Sequence, residues 1–226
     1  MHYSKKSIQS AIAMLAVFAF ASCKTDNVIA PEVSALSVVN AAVGSPALDV
    51  KIGQNKASND LFTYGKDISY LNVYSGEREV SFFQGTEKNT TGKFTLKNGK
   101  YYSLFLVGEW PQTELVLLND SLTRPASGKA HIRFVNMSKD AGVLNLGLTN
   151  GSTLINQKAY KTGSSFIEIN GNMPYAFVIR NNTALTDTVT IPAVNLESGK
   201  IYTIWAKGIK AQTGTKSLDL AIIKNN

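Results

Sequence analysis

The chain has 226 residues, 44% of them apolar and 17% charged, with a formal net charge of +7 and one cysteine. That composition excludes a disordered chain, a disulfide framework and a thiolate metal cluster, and it admits one large domain or two small ones. The basic residues from Lys51 to Lys224 are scattered singly, with no run or stripe that could focus a field on phosphates, so nucleic acid is not an expected partner.

Met1 to Lys6 is a short basic head, and Ala11 to Ala21 is an unbroken apolar run of 11 residues. A helix that spans a bilayer needs about 20 apolar residues, so the run reads as an export signal and not as an anchor. Taking Lys5 and Lys6 away from the 23 basic residues leaves 21 against 16 acidic ones, a net charge of +5 once the leader is removed. Phe20-Ala21-Ser22-Cys23 resembles the lipobox of bacterial lipoproteins, with Phe20 where leucine is commonest. The resemblance implies a signal peptide over 1–22, cleavage before Cys23, and diacylglycerol on the Cys23 sulfur. Two or more acyl chains, at about 0.8 kcal/mol per buried CH₂, would hold the chain stably at a membrane. Residues 23–33 read as a lipidated tether, because Asp26, Asn27 and Pro31 interrupt any apolar period; the ten residues after Cys23, Lys24 to Val33, reach at most roughly 35 Å.

The rest of the chain reads as two copies of one unit. Leu36-Ser37-Val38-Val39-Asn40 aligns with Ile132-Arg133-Phe134-Val135-Asn136, and Leu48-Asp49-Val50-Lys51-Ile52 with Leu144-Asn145-Leu146-Gly147-Leu148, both at an offset of 96; Tyr64 falls on Tyr160. Asn98-Gly99-Lys100-Tyr101-Tyr102 aligns with Ser198-Gly199-Lys200-Ile201-Tyr202 at an offset of 100, and Gly108 with Gly208, so the second copy carries four extra residues in a loop. Short runs of β-branched and aromatic residues, separated by Gly, Asn, Ser and Pro, predict strands at 35–40, 46–52, 68–74, 77–84, 91–97, 100–108 and 113–119, with equivalents in the second copy. The expected fold is all-β: two tandem immunoglobulin-like antiparallel β-sandwiches over 34–122 and 129–226, joined by a linker at 123–128. Alternation places Ala130, Ile132 and Phe134 on the core face, and likewise Tyr202, Ile204 and Ala206, while His131, Arg133, Thr203 and Trp205 face outward.

The apolar strand ending in Val-Asn, the Leu-Asp-Val strand and the Gly-Lys-x-Tyr strand ending in Gly resemble the domain of unknown function 4397, once per copy. Asn145 departs by standing where the first copy has Asp49. The resemblance implies an exported protein, often a lipoprotein, of Bacteroidetes type; it carries no catalytic residues to this chain.

Few residues offer chemistry. His131, the one histidine after the leader, has no cysteine or carboxylate cluster around it for a zinc site and no Gly-x-Ser-x-Gly elbow to serve as base. Gly99-Lys100 and Gly199-Lys200 lack the upstream glycine of a phosphate loop and read as turns. Glu77 with Glu79, and Asp187 with Glu197, read as solvated carboxylates. No catalytic residue, metal or cofactor is expected. Trp110, Phe105 and Trp205 are the candidate contacts for a ligand or partner, since a partly exposed aromatic suits a sugar ring or a protein surface; packing of Phe105 and Trp205 under a loop or between the domains is the competing expectation. Asp120-Ser121-Leu122 and Asp187-Thr188-Val189 resemble O-glycosylation acceptors of exported Bacteroidetes proteins, with Ser121 and Thr188 as the modified residues. The functional expectation is a non-catalytic lipoprotein of the cell envelope, in the outer membrane, that binds or scaffolds an envelope protein or glycan. A carbohydrate-binding accessory protein of a polysaccharide-uptake system and a hydrolase are the alternatives.

Overall fold

A computed structural model describes residues 30–183 and 188–226. The leader, Cys23, most of the tether and Asp187 lie outside the described residues.

The first half consists of β1 (Val33–Asn40), β2 (Asp49–Ile52), β3 (Asn55–Lys56), β4 (Asp67–Tyr74), β5 (Gly76–Gln84), β6 (Glu87–Leu96), β7 (Tyr101–Glu109) and β8 (Gln112–Asp120). They form two four-stranded sheets, ordered β4-β1-β7-β8 and β3-β2-β5-β6, that close on a core including Leu36, Val38, Val80, Phe82, Leu104 and Leu106. The second half runs through β9 (Lys129–Asn136), β10 (Leu144–Leu148), β11 (Thr153–Lys158), β12 (Thr162–Gly163), β13 (Ile167–Asn170), β14 (Met173–Tyr175), β15 (Phe177–Asn181), β16 (Thr188–Thr190), β17 (Val194–Leu196), β18 (Ile201–Lys207) and β19 (Asp219–Lys224). Its sheets β12-β9-β18-β19 and β11-β10-β15-β16 enclose Ile132, Phe134, Leu146, Phe177, Tyr202 and Ile204. The fold is an immunoglobulin-like sandwich architecture without α-helices; one short 3₁₀ turn, Gly214–Lys216, is the helical element among the described residues. No helix in those residues is long and apolar enough to cross a membrane.

The two halves share a register. Each first strand pairs in parallel with the Gly-Lys-x-Tyr strand, Leu36 opposite Tyr102 and Ile132 opposite Tyr202, while most other pairs are antiparallel. Gly85-Thr86 joins β5 to β6 whereas residues 182–187 join β15 to β16, which accounts for the four extra residues of the second half. The motif residues are explained by local structure. Asn40 and Asn136 are fully buried, and each Oδ1 accepts a hydrogen bond from the amide two residues on, Ala42 and Ser138, both at 3.1 Å. The Tyr102 and Tyr202 hydroxyls accept from the amides of Lys97 and Glu197, both at 3.0 Å. At Gly108, with φ +103°, a Cβ would lie 2.6 Å from the Gln112 carbonyl oxygen, and Gly208 meets Ser217 in the same way, so only glycine fits.

The outward faces do not reach solvent as alternation suggests. Val39, Phe105 and Val107 of the first half and Val135, Trp205 and Ile223 of the second form a third apolar cluster. The sheet containing β1 and β7 therefore packs face to face on the sheet containing β9 and β18, giving four layers. Residues Glu32–Asn226 accordingly form one compact unit, in which 121–128 is a connection along a shared body and not a hinge between free domains. The inner sheets are covered on both sides, which is why β7 reads Leu104-Phe105-Leu106-Val107 without a polar interruption.

Candidate functional site

The densest cluster of polar side chains lies inside this interface. Arg133, 2% exposed, projects from β9 between the sheets. Its Nη1 donates to Asp120 Oδ1, its Nη2 to Ser103 Oγ at 2.9 Å and its Nε to Thr203 Oγ1 at 2.9 Å. The other Asp120 oxygen accepts from Ser103 Oγ at 2.6 Å and from the Tyr70 hydroxyl at 2.5 Å. Asn225 closes the ring, accepting from Thr203 Oγ1 at 2.8 Å and donating to the Tyr70 hydroxyl at 3.2 Å. Burial, and then the Asp120 charge, push the Tyr70 hydroxyl well above its ordinary pKa. Every group faces a partner of opposite character and the Asp120 side chain has no solvent exposure, so the cluster locks the halves together and presents nothing to a ligand.

Two of the three aromatic candidates must be reassigned. Phe105 and Trp205 have no exposed surface and meet edge to face with ring centroids 6.1 Å apart, so neither can touch a ligand. The outward face on which they sit is the one buried between the halves. The Trp205 indole N–H has no hydrogen-bond partner there. Trp110 is half-buried against the first core in the β7–β8 turn. Ser121 is exposed just beyond β8, and the Asp120 carboxylate that precedes it points inward onto Arg133. Thr188 begins β16 beside Asp187, which lies outside the described residues.

His131 is largely covered too, with a side chain 15% exposed, Nε2 3.9 Å from Glu168 Oε2, and a buried Nδ1 without a partner. The outward position expected for it is thus another interface-side position, and no hydroxyl nucleophile bonds to it. Glu77 and Glu79 pair with Lys93 and Lys88, and Glu197 with Lys224. Gly99 and Gly199, at φ +68° and +79°, sit in turns closed by Lys100 N to Lys97 O and Lys200 N to Glu197 O.

The open chemistry lies elsewhere, where the two sheets of the first sandwich part between edge strands β3 and β4. A cleft of about 520 Å³ opens there, within the range of small-ligand sites. Half-buried Ile52, Ala57 and Leu71 give it an apolar floor over the core. The amides of Gln54, Asn55 and Asn72 and the cations Lys56 and Arg78 line it, and Tyr74, 63% exposed, forms its rim. Arg78 is held by the backbone, Nε to Tyr74 O at 2.7 Å and Nη2 to Ser75 O at 2.6 Å. Asn72 also lines a smaller hollow that continues to Lys100 and Tyr101, whose ring is 42% exposed and stands edge to face with Tyr70 at 5.6 Å. These residues were legible as a pattern, since Tyr70, Asn72 and Tyr74 alternate with core-facing Leu71 and Val73, but alternation cannot show that the hairpin 52–57 comes to lie opposite them. A second hollow, at Asp60, Leu61 and Asp67, has carboxylates in its wall and no aromatic rim.

Two packed immunoglobulin-like sandwiches, a closed polar interface and an open cleft rimmed by Tyr74 define an all-β sandwich protein. The chain belongs to the family described as Domain of unknown function (DUF4397), whose model matches residues 34–147. No curated protein matches it. Among solved structures it is similar to one described as "Alpha-glucan binding by a streptococcal virulence factor", with 12% identity over 76% of this chain and 92% of that one and a TM-score of 0.23, a likeness too slight to carry an argument about function.

Proposed function

We propose that the protein is an envelope lipoprotein, anchored through Cys23 in the outer membrane of a Bacteroidetes-type cell, whose two copies of the family unit form a rigid non-catalytic binding module. The observation that carries the reading is the distribution of polar chemistry. Among the described residues the buried Arg133–Asp120 cluster is closed on itself, while Tyr74, Asn72 and Arg78 converge on an open cleft with an apolar floor. A catalytic site holds its reactive groups near a place where substrate can sit; a recognition surface needs only exposed aromatics and oriented hydrogen-bonding groups. The lipobox-like leader supplies the address.

Affinity capture from detergent-solubilised envelopes tests the reading. The native chain should retain an envelope component that an Asn72→Ala, Tyr74→Ala double variant does not, and Cys23 should carry acyl chains by mass spectrometry. Undiminished capture by the double variant removes the cleft from the reading. Turnover in a broad hydrolase screen would overturn its non-catalytic character.

A further inference from the structure

We infer that the Tyr74 cleft and the hollow beside Tyr101 form one extended site for an acidic oligosaccharide. The inference rests on the binding-module reading and adds the ligand class. Asn72 lines both hollows, so the two adjoin at this residue of edge strand β4. Along that strip lie two exposed tyrosine rings, Tyr74 at one end and Tyr101 at the other. A phenol ring presents a flat apolar face with a polar edge, which suits the C–H face of a sugar flanked by hydroxyls. The side-chain amides between the rings offer donors and acceptors together, as neighbouring hydroxyls require.

Charge narrows the class. The charged residues lining the strip are Lys56, Arg78 and Lys100, and no carboxylate lines either hollow. Lys56 is shared with Asp49 at 2.8 Å. Arg78 donates through Nε, Nη1 and Nη2 to the carbonyls of Tyr74, Glu77 and Ser75 and retains two further N–H groups, because a guanidinium has five. A ligand bearing carboxylate or sulfate groups at intervals matches this field, whereas a neutral glycan leaves it unused. The same arginine argues against an added peptide strand, since it occupies the Tyr74 and Ser75 carbonyls at the end of edge strand β4.

Calorimetric titration of the native lipidated chain in detergent micelles tests this, using uronate- or sulfate-bearing oligosaccharides, matched neutral oligomers and an extended peptide. The acidic oligomers should bind, more weakly as salt is added. Tyr74→Ala and Asn72→Ala should each lower affinity roughly tenfold, the equivalent of about 1.4 kcal/mol, with unchanged thermal melting because both positions are exposed. Lys100→Gln should reduce the salt dependence. Equal binding of neutral oligomers, binding of the peptide alone, or acidic binding that survives Tyr74→Ala overturns the inference. If no saccharide binds while envelope capture still depends on Asn72 and Tyr74, the saccharide assignment falls and the binding module stands; loss of both removes both.

Discussion

Asp120→Asn probes how the halves are joined. The substitution keeps the side-chain shape and removes the charge that faces Arg133, together with one of the oxygens that accept from Ser103, Tyr70 and Arg133. Arg133 is 2% exposed and cannot turn to water, so its charge is left uncompensated in a low-dielectric interface. Removing one partner of a buried ion pair costs about 3–5 kcal/mol, roughly a fifth or more of the 5–15 kcal/mol that stabilises a typical domain. Urea unfolding followed by fluorescence in a Trp110→Phe background reads this directly, because Trp205 is then the one indole and lies in the same interface. The native chain should unfold in one transition, and Asp120→Asn should lower its midpoint. A second variant, Asp120→Leu with Arg133→Met, should be more stable than Asp120→Asn, since it removes the orphaned charge. A loss below about 0.5 kcal/mol for Asp120→Asn, or additive effects of the two positions, would refute the view that the pair is buried and coupled.

The other expectations concern the interface, the motif glycines, the tyrosines and the anchor. Trp205→Phe should stay within about 1.5 kcal/mol of the native chain, because it preserves the edge-to-face contact and removes an unpaired N–H, while Trp205→Ala should cost about 3–5 kcal/mol by chemical denaturation. Gly208→Ala should destabilise strongly, since Gly208 combines a φ of +83° with backbone contact from Ser217, whereas Gly99→Ala meets no neighbour and should lose only the turn preference. Burial and the charges of Asp219 and Glu114 push the Tyr64 and Tyr160 hydroxyls up to about 12. The unfolded chain releases those protons near pH 10, so stability should be intact below pH 10 and fall as pH rises from about 10 to about 12, as thermal melts across that range would show. Cys23→Ser should release the protein from the membrane fraction without changing its melting temperature, which fractionation and calorimetry would check.

The strands and the inner faces of the outer sheets were legible because a strand covered on one side leaves a period of two in the sequence, as in Phe94 and Leu96 with the exposed Thr95 between them. What that period cannot express is a strand covered on both sides. Leu104-Phe105-Leu106-Val107 carries that signal as an uninterrupted apolar run, and read in that light Phe105 and Trp205 belong to an interface. Arg133 and Asp120 gave no comparable signal, since a lone charge on an outer face is the usual sign of water and their pairing depends on how the halves dock. The cleft was hidden for a related reason: Tyr74 and Asn72 sit at ordinary surface positions, and their meaning comes from the hairpin 52–57, which the chain brings opposite them only after folding.

A photoreactive amino acid placed at position 74 in the native envelope, with the exposed Thr95 of β6 as the control position, tests the recognition face most directly. Irradiation should attach the protein at position 74 to a discrete envelope component and leave the control position bare. Equal labelling at both positions, or none at position 74, would contradict a recognition surface built on Tyr74.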